Sequence, residues 1–378
     1  MSERSDYLST KDIKPGTARR SPTPPSIAEP QDRRTSPQSA GPPDQPVEPP
    51  YAGLVPDPLT LMAVHAHPDD ESLGTGGILA RYSDEGVRTV LVTCTDGDLG
   101  DAPGGVKPDD PAHDPTAVVA TRRAELQASC AALGVQHLEL LGYRDSGMEG
   151  WPQNDQPGSF WTVPVADATA RLAILMERYR PQVVVTYDAH GMYGHPDHIQ
   201  AHRATMAAAA STGVPDKLYH TAIPRSALAG FAAVLRSEGI ELPHGLEDDP
   251  DFGTPDELVT TVVDCSAVVG RKYDSLAAHA SQSDNIFFLG LGRDVFAQLM
   301  GMEAFVRAYD RTGYPVPEQD LFAGLRRSAL GAGRHRGWRA HPTRVTRRNR
   351  GRFTAPHTSV ESAQREAAPP RSARRARR

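Results

Sequence analysis

Between about residues 57 and 310 short apolar runs alternate with segments of helical spacing. LTLMAVHA (59–66) is a continuous apolar run without a helical period, the pattern of a strand buried on both faces of a parallel sheet. ILARYSDEG (78–86) carries helix spacing and closes on Gly86. RTVLVTC (88–94) predicts a second strand, running into the acidic loop TDGDLGD. TAVVATRRAELQASCAALG (116–134) predicts a long amphipathic helix, HLELLGY (137–143) a third strand, ADATARLAILMERYR (166–180) a helix and QVVVTYD (182–188) a fourth strand. A helix follows His198; then come a strand over 217–223, a helix over 225–237, a strand over 258–264 and one helix over 266–282. This alternation predicts an α/β, Rossmann-like domain over 57–312, with a mostly parallel sheet and helices on both faces. In such sheets ligands bind beyond the carboxyl ends of the strands, near the point where strand order reverses.

The ends of the chain break this pattern. Residues 1–56 are dense in Pro, Ser and charge, and residues 313–378 become rich in arginine; neither has apolar periodicity, so both are expected to be mostly disordered. From Arg326 onward 16 arginines face only Glu361 and Glu366, a net of +14. The 378-residue chain carries −6, so the residues before Arg326 carry −20. An acidic body argues against a nucleic-acid-binding fold, and the basic tail reads as solvated rather than as a nucleic-acid arm. Cys94, Cys130 and Cys265 form neither a CxxC nor a disulfide framework, which suits a reducing cytoplasm. No apolar run is long enough to span a membrane, and no signal peptide opens the chain. No coiled-coil repeat sets an oligomeric state.

The chemistry gathers at the predicted strand ends. HPDD (67–70) follows the first, Asp96 and Asp98 the second, Arg144 and Asp145 the third, and the stretch from Asp188 to His198 the fourth. His67-Pro68-Asp69-Asp70 and His195-Pro196-Asp197-His198 share a layout, with a potential ligand three positions after the first histidine. Proline suits a first helical turn, and residues three apart on that turn share a face. Two imidazoles and a carboxylate with a position left for water form the open ligand set of a catalytic Zn²⁺ site, one ion per subunit, which Fe²⁺ can also occupy. Asp69, beside Asp70 but unable to share its direction, is left to act as general base. Whichever of His195 and His198 is not a ligand is left to donate to an oxyanion, and Asp197 to orient one of those imidazoles. A lone HPD reads most simply as a helix start with a capping aspartate; two, each after a strand, favour a site. His65 reads as packed, or as touching a ligand rather than the metal. Gly74, Gly76 and Gly77 lack GxGxxG spacing, and no acidic residue ends the second strand, so they suggest close helix packing rather than a dinucleotide.

AHPDDE followed more than a hundred residues later by GHPDH resembles the PIG-L-type (LmbE-like) zinc N-deacetylases, over about residues 57–310. RDSGM (144–148) and AAHASQ (277–282) are similar to stretches of that family's mycothiol branch. The resemblance implies a metal-dependent amide hydrolase acting on carbon–nitrogen bonds other than peptide bonds. It implies zinc on His67, Asp70 and His198, Asp69 as base, and His195 as oxyanion donor or amine protonator with Asp197 orienting it. It further implies Tyr193 polarising the amide carbonyl and Arg122 and Asp145 at the substrate. The implied substrate is 1D-myo-inositol 2-acetamido-2-deoxy-α-D-glucopyranoside, in mycothiol biosynthesis. The alternatives are a mycothiol S-conjugate amidase and a deacetylase of another N-acetylglucosaminyl compound. Leu73 leans to the deacetylase; Gly74 fits neither. A pocket lined by Asp98, Asp145 and Arg122 suits hydroxyl-rich, uncharged sugars, with the long loop 101–116 over it as a specificity element. The competing class is a binding protein that kept the fold and lost the chemistry; every implied catalytic position is nonetheless filled by a competent residue.

Overall fold

The computed structural model describes residues 58–240 and 252–326; the segments 1–56 and 327–378, with the disorder expected of them, lie outside the described residues. The first half reads β1 (Thr60–His65), α1 (Asp70–Gly74), α2 (Gly76–Asp84), β2 (Arg88–Thr95), α3 (Pro115–Leu133), β3 (His137–Tyr143) and α4 (Val165–Tyr179). Then follow β4 (Val183–Thr186), the kinked turn α5 (Gly191–Gly194), α6 (Pro196–Thr212), β5 (Lys217–Ala222) and α7 (Arg225–Ser237). The chain closes with β6 (Thr261–Asp264), α8 (Val269–Ala278), α9 (Asp284–Gly290), α10 (Gly292–Met300) and β7 (Met302–Asp310).

These strands form one sheet in the order β3-β2-β1-β4-β5-β7-β6. The first five are parallel, and β7 and β6 add antiparallel at one edge. The apolar run of β1 serves two cores: Leu61 and Ala63 pack into the cluster with α2, α3 and Phe305, Met62 and Val64 into that with α4 and α6. Side chains alternate along a strand, so a segment without polar positions is one buried on both faces. Strand order reverses between β1 and β4. The residues after these two strands therefore meet at one rim.

Three expectations need correction. The strand at 258–264 shortens to β6 and is an antiparallel edge, and β7, not predicted, stands between it and β5. The helix at 266–282 is a short 3₁₀ turn followed by α8, which ends at Ala278 and turns His279 inward. The domain also runs past 312. Leu321 and Phe322 are wholly buried, and Glu318 meets Lys217 Nζ at 2.5 Å inside the sheet edge. A proline-interrupted segment without periodicity can still pack when its few apolar residues find a cavity.

Candidate metal centre and active-site cleft

β1 delivers His67, Asp69 and Asp70; the α5 turn and the start of α6 deliver Tyr193, His195, Asp197 and His198. The two HPD units differ in build. His195 is the N-cap of α6, with Pro196 in its first turn, as expected. The first unit starts its helix two residues later, at Asp70, because Asp69 has φ 118, a left-handed backbone that only glycine adopts at ease.

His67, His195 and His198 bring ring nitrogens within 4.8 Å of one another, all three buried. Their other contacts sort them. His67 stands between two carboxylates, Nε2 3.2 Å from Asp197 Oδ2 and Nδ1 3.2 Å from Asp70 Oδ2; with its proton on Nε2 toward Asp197, the Nδ1 lone pair faces Asp70. His198 Nδ1 lies 3.2 Å from the Gly191 carbonyl and must donate to it, leaving Nε2 with its lone pair. That Nε2 is buried without a hydrogen-bond partner, 3.4 Å from Asp70 Oδ1. His195 Nδ1 accepts the Asp197 N–H at 3.1 Å, so the neutral ring bears its proton on Nε2. Two imidazoles thus offer lone pairs to either side of one carboxylate, and the third offers a donor. An orphaned buried nitrogen beside a carboxylate fits a bound cation.

The electrostatics agree. Burial alone would lower His67, but Asp145, Asp197 and Asp70 raise it well above the ordinary histidine value: the site has carboxylate to spare for positive charge. Burial works against Asp70 too, and His198 and His67 still hold it well below the carboxylate range. Burial pushes Asp69 up to about 6, against Arg122 and with Asp70. His195 is pushed down to about 2 by burial and by the neighbouring His67 and His198, so it stays neutral.

The centre opens into a cleft of about 730 Å³ whose lining includes His67, Asp69, Asp145, Arg122, Tyr193 and His195. Loop residues Asp101, Lys107, Pro108 and Asp109 form one wall, so part of the loop expected over the site does border it. Tyr193 is 49% exposed, with its ring edge-on to His198 at 5.0 Å. Arg122 reaches the cleft but is buried, its guanidinium on the Pro68 carbonyl (2.5 Å), the Gly97 carbonyl (3.0 Å) and Asp69 Oδ2 (3.2 Å).

Two expected placements change. Asp98 does not line the cleft; it accepts the Asp145 N–H at 2.8 Å and so holds the loop that carries Asp145. The Asp197 carboxylate orients His67, not His195, which it touches only through its backbone amide; the carboxylate is drawn away by the Ser146 N–H (2.9 Å) and hydroxyl. Gly74 and Leu73 are also outside the cleft: a Cβ on Gly74 would stand 3.4 Å from the His65 ring, and Leu73 packs on Val269, Leu276 and Phe296. Gly77 is a close-packing glycine, its missing Cβ 2.6 Å from Cys265.

Sequence reasoning passed over Tyr187. Its hydroxyl donates to Asp70 Oδ2 (2.7 Å) and accepts the Ala66 N–H (2.8 Å), and its ring stacks on His198 at 4.0 Å. The available signal was its position, first after β4 at the reversal of strand order. It also passed over Ser146, within the quoted RDSGM, and Glu71, a wholly buried carboxylate against His279.

The family profile described as PIG-L, GlcNAc-PI de-N-acetylase, matches residues 62–209, the span from β1 into α6 that carries these residues. A protein of Acidothermus cellulolyticus named 1D-myo-inositol 2-acetamido-2-deoxy-alpha-D-glucopyranoside deacetylase is 43% identical over 282 residues, 70% of this chain and 95% of that one. The chain belongs to the PIG-L family. A protein of the same name from Thermobifida fusca is 42% identical, over 70% of this chain and 98% of that one. Among solved structures, the PIG-L chain is similar to the N,N'-diacetylchitobiose deacetylase of Pyrococcus horikoshii, with 22% identity, a TM-score of 0.43, and coverage of 66% and 84%. Among the described residues no helix is long and apolar enough to cross a membrane.

Proposed function

We propose that this protein is a zinc-dependent N-deacetylase of an acetylated amino-sugar, 1D-myo-inositol 2-acetamido-2-deoxy-α-D-glucopyranoside, working in the cytoplasm. The observation that carries the chemistry is the sorting of three imidazoles by their partners: His67 and His198 face Asp70 with lone pairs, and His195 faces the cleft as a donor. Two nitrogens and one carboxylate oxygen, with room for water, suit Zn²⁺; the substrate comes from the names of relatives about 40% identical over nearly their whole length.

His67, Asp70 and His198 would hold the ion, which when bound lowers the pKa of water and polarises an amide carbonyl. Asp69 takes the proton of the attacking water, its carboxyl close enough to neutral to accept it and later release it. His195 donates its Nε2–H to the oxygen that gains charge, and Tyr193 polarises the same carbonyl from the exposed side of the cleft. Asp69, holding the proton taken from water, can pass it to the departing nitrogen, while burial favours a neutral His195 that donates to the oxyanion. The C–N bond breaks to acetate and a free amine. Asp145 borders the cleft for substrate hydroxyls, and Arg122 holds the base.

The test compares kcat/KM for the inositol glycoside, a bimane-type mycothiol conjugate and free N-acetylglucosamine on one zinc-loaded preparation. The expected order puts the inositol glycoside first. Preference for the conjugate by more than about tenfold, roughly 1.4 kcal/mol of transition-state binding, would transfer the assignment to the amidase reaction.

A further inference from the structure

The mechanism leaves unused a buried carboxylate two residues from the base. Glu71 has no solvent exposure, and its oxygens divide their work. Oε2 accepts the backbone N–H of Asp69 at 3.0 Å. Oε1 accepts from His279 Nε2 at 2.7 Å, from Ser72 Oγ at 3.1 Å and from the Ser129 hydroxyl. Ser275 ties both serines together, at 2.6 and 2.7 Å. The strained residue of the centre is therefore gripped from beneath by a group anchored to α3 and α8.

That grip has a consequence for aim. An aspartate at a helix N-cap ordinarily turns its carboxylate back onto the first amides of the helix. Asp69 makes no such bond. With φ at 118 its side chain is thrown outward, where it meets Arg122 and borders the cleft. A non-glycine residue persists in this conformation only when its surroundings over-determine it.

We propose that Glu71 is the positioning residue of the base: by holding the Asp69 N–H it fixes the left-handed backbone that aims the Asp69 carboxylate into the cleft, and His279 holds Glu71. The inference rests on the reading of Asp69 as general base. It gives AAHASQ, the stretch around His279, a purpose at the reacting centre although it lies more than two hundred residues away in the chain.

A mutant cycle separates this from a purely structural role. Glu71→Ala, Glu71→Gln and Asp69→Ala, and Glu71→Ala combined with Asp69→Ala, are compared for kcat, KM and bound metal by elemental analysis. Glu71→Ala is expected to lower kcat about 100-fold, the scale of a roughly 1 Å misplacement, with KM and metal content unchanged. Glu71→Gln, which keeps an acceptor for the Asp69 N–H, is expected to recover most of the loss. In the Asp69→Ala background, Glu71→Ala is expected to change the residual kcat by less than about twofold, since nothing is left to aim. An equal loss in both backgrounds, or loss of metal with Glu71→Ala, overturns the positioning role alone. Wild-type turnover in Asp69→Ala overturns the base assignment, and the positioning role falls with it. Should Glu71→Ala fail to fold, His279→Ala carries the same cycle from the other end of the pair.

Discussion

A histidine near a metal centre is defined by its far nitrogen. His67, His195 and His198 are alike in type and crowding, yet a carboxylate, a backbone amide and a carbonyl on their outer sides leave two of them with lone pairs toward Asp70 and one as a donor, the sorting on which the proposed ligand set rests. Asp69→Ala is therefore expected to keep its metal and lose turnover by about 10²–10⁴-fold, while His198→Ala loses both; elemental analysis beside kcat separates them. With Asp69 in its proposed role as base, the rate has an acid limb. Asp69 must be ionised to accept a proton, so kcat/KM is expected to fall as pH drops through its pKa. That pKa is about 6 without a metal ion and lower beside one, because a dication stabilises the carboxylate. A pH–rate profile whose acid limb stays in place in a variant that retains measurable activity without Asp69 would assign the limb elsewhere. Their clustering was legible because each half is local in the chain, His67 to Asp70 and His195 to His198, although only the second half lies on a helical start. The partner of Asp197 was not, because His67 and Ser146 come from other strand ends and only packing decides which imidazole a carboxylate meets.

The elements were legible to the extent that their patterning answered to one core. β1 to β5 and α3, α4 and α7 stand within a few residues of where periodicity puts them. β7 was missed because Glu303 interrupts its apolar alternation at a fully committed position. Glu303 is 5% exposed, accepts the Gly77 and Ile78 N–H groups at 2.7 and 2.9 Å, and pairs with Lys272 Nζ at 2.7 Å. A buried acid from β7, the strand next to the edge, thus satisfies the first amides of α2, groups that a helix cannot pair internally, and a lysine on α8 balances it. α8 was overextended for the same reason: Lys272, Ser275 and His279 read as a polar face but point inward. Glu303→Ala strands a buried lysine and two amides, and is expected to cost about 3–5 kcal/mol in urea unfolding. The double replacement Glu303→Leu with Lys272→Met is expected to cost less than Glu303→Ala alone. A double variant that is the less stable of the two would show that the amides of α2, not the ion pair, dominate.

Across the whole molecule, packing moves the end of the domain beyond 312. Charge and proline content place residues 313–326 with the tail, yet this segment completes the edge of the sheet. The backbone of Glu318 bridges to β6, accepting the Val262 N–H at 3.0 Å and donating to the Thr260 carbonyl at 2.8 Å. Its carboxylate takes Lys217 Nζ at 2.5 Å, the Tyr219 hydroxyl at 2.7 Å and Arg307 Nη1 at 2.9 Å, inside the protein. Leu321 and Phe322 fill the core over α2, where the Tyr82 ring meets Phe322 edge-on at 5.0 Å. Removing them forfeits about 1.5–3 kcal/mol for each apolar side chain, besides leaving Lys217 buried without its carboxylate. The sum approaches the 5–15 kcal/mol that a whole domain commands. A chain ending at Thr312 is therefore expected to lose its cooperative thermal transition. A chain ending at Arg326 keeps every contact described here and is expected to melt within a few degrees of the full-length protein with unchanged kcat. Deletion from either side of this segment is a sharp test, because composition draws the boundary at 312 and packing draws it at 326. Cooperative melting of the shorter chain near the full-length midpoint would return the segment to the tail.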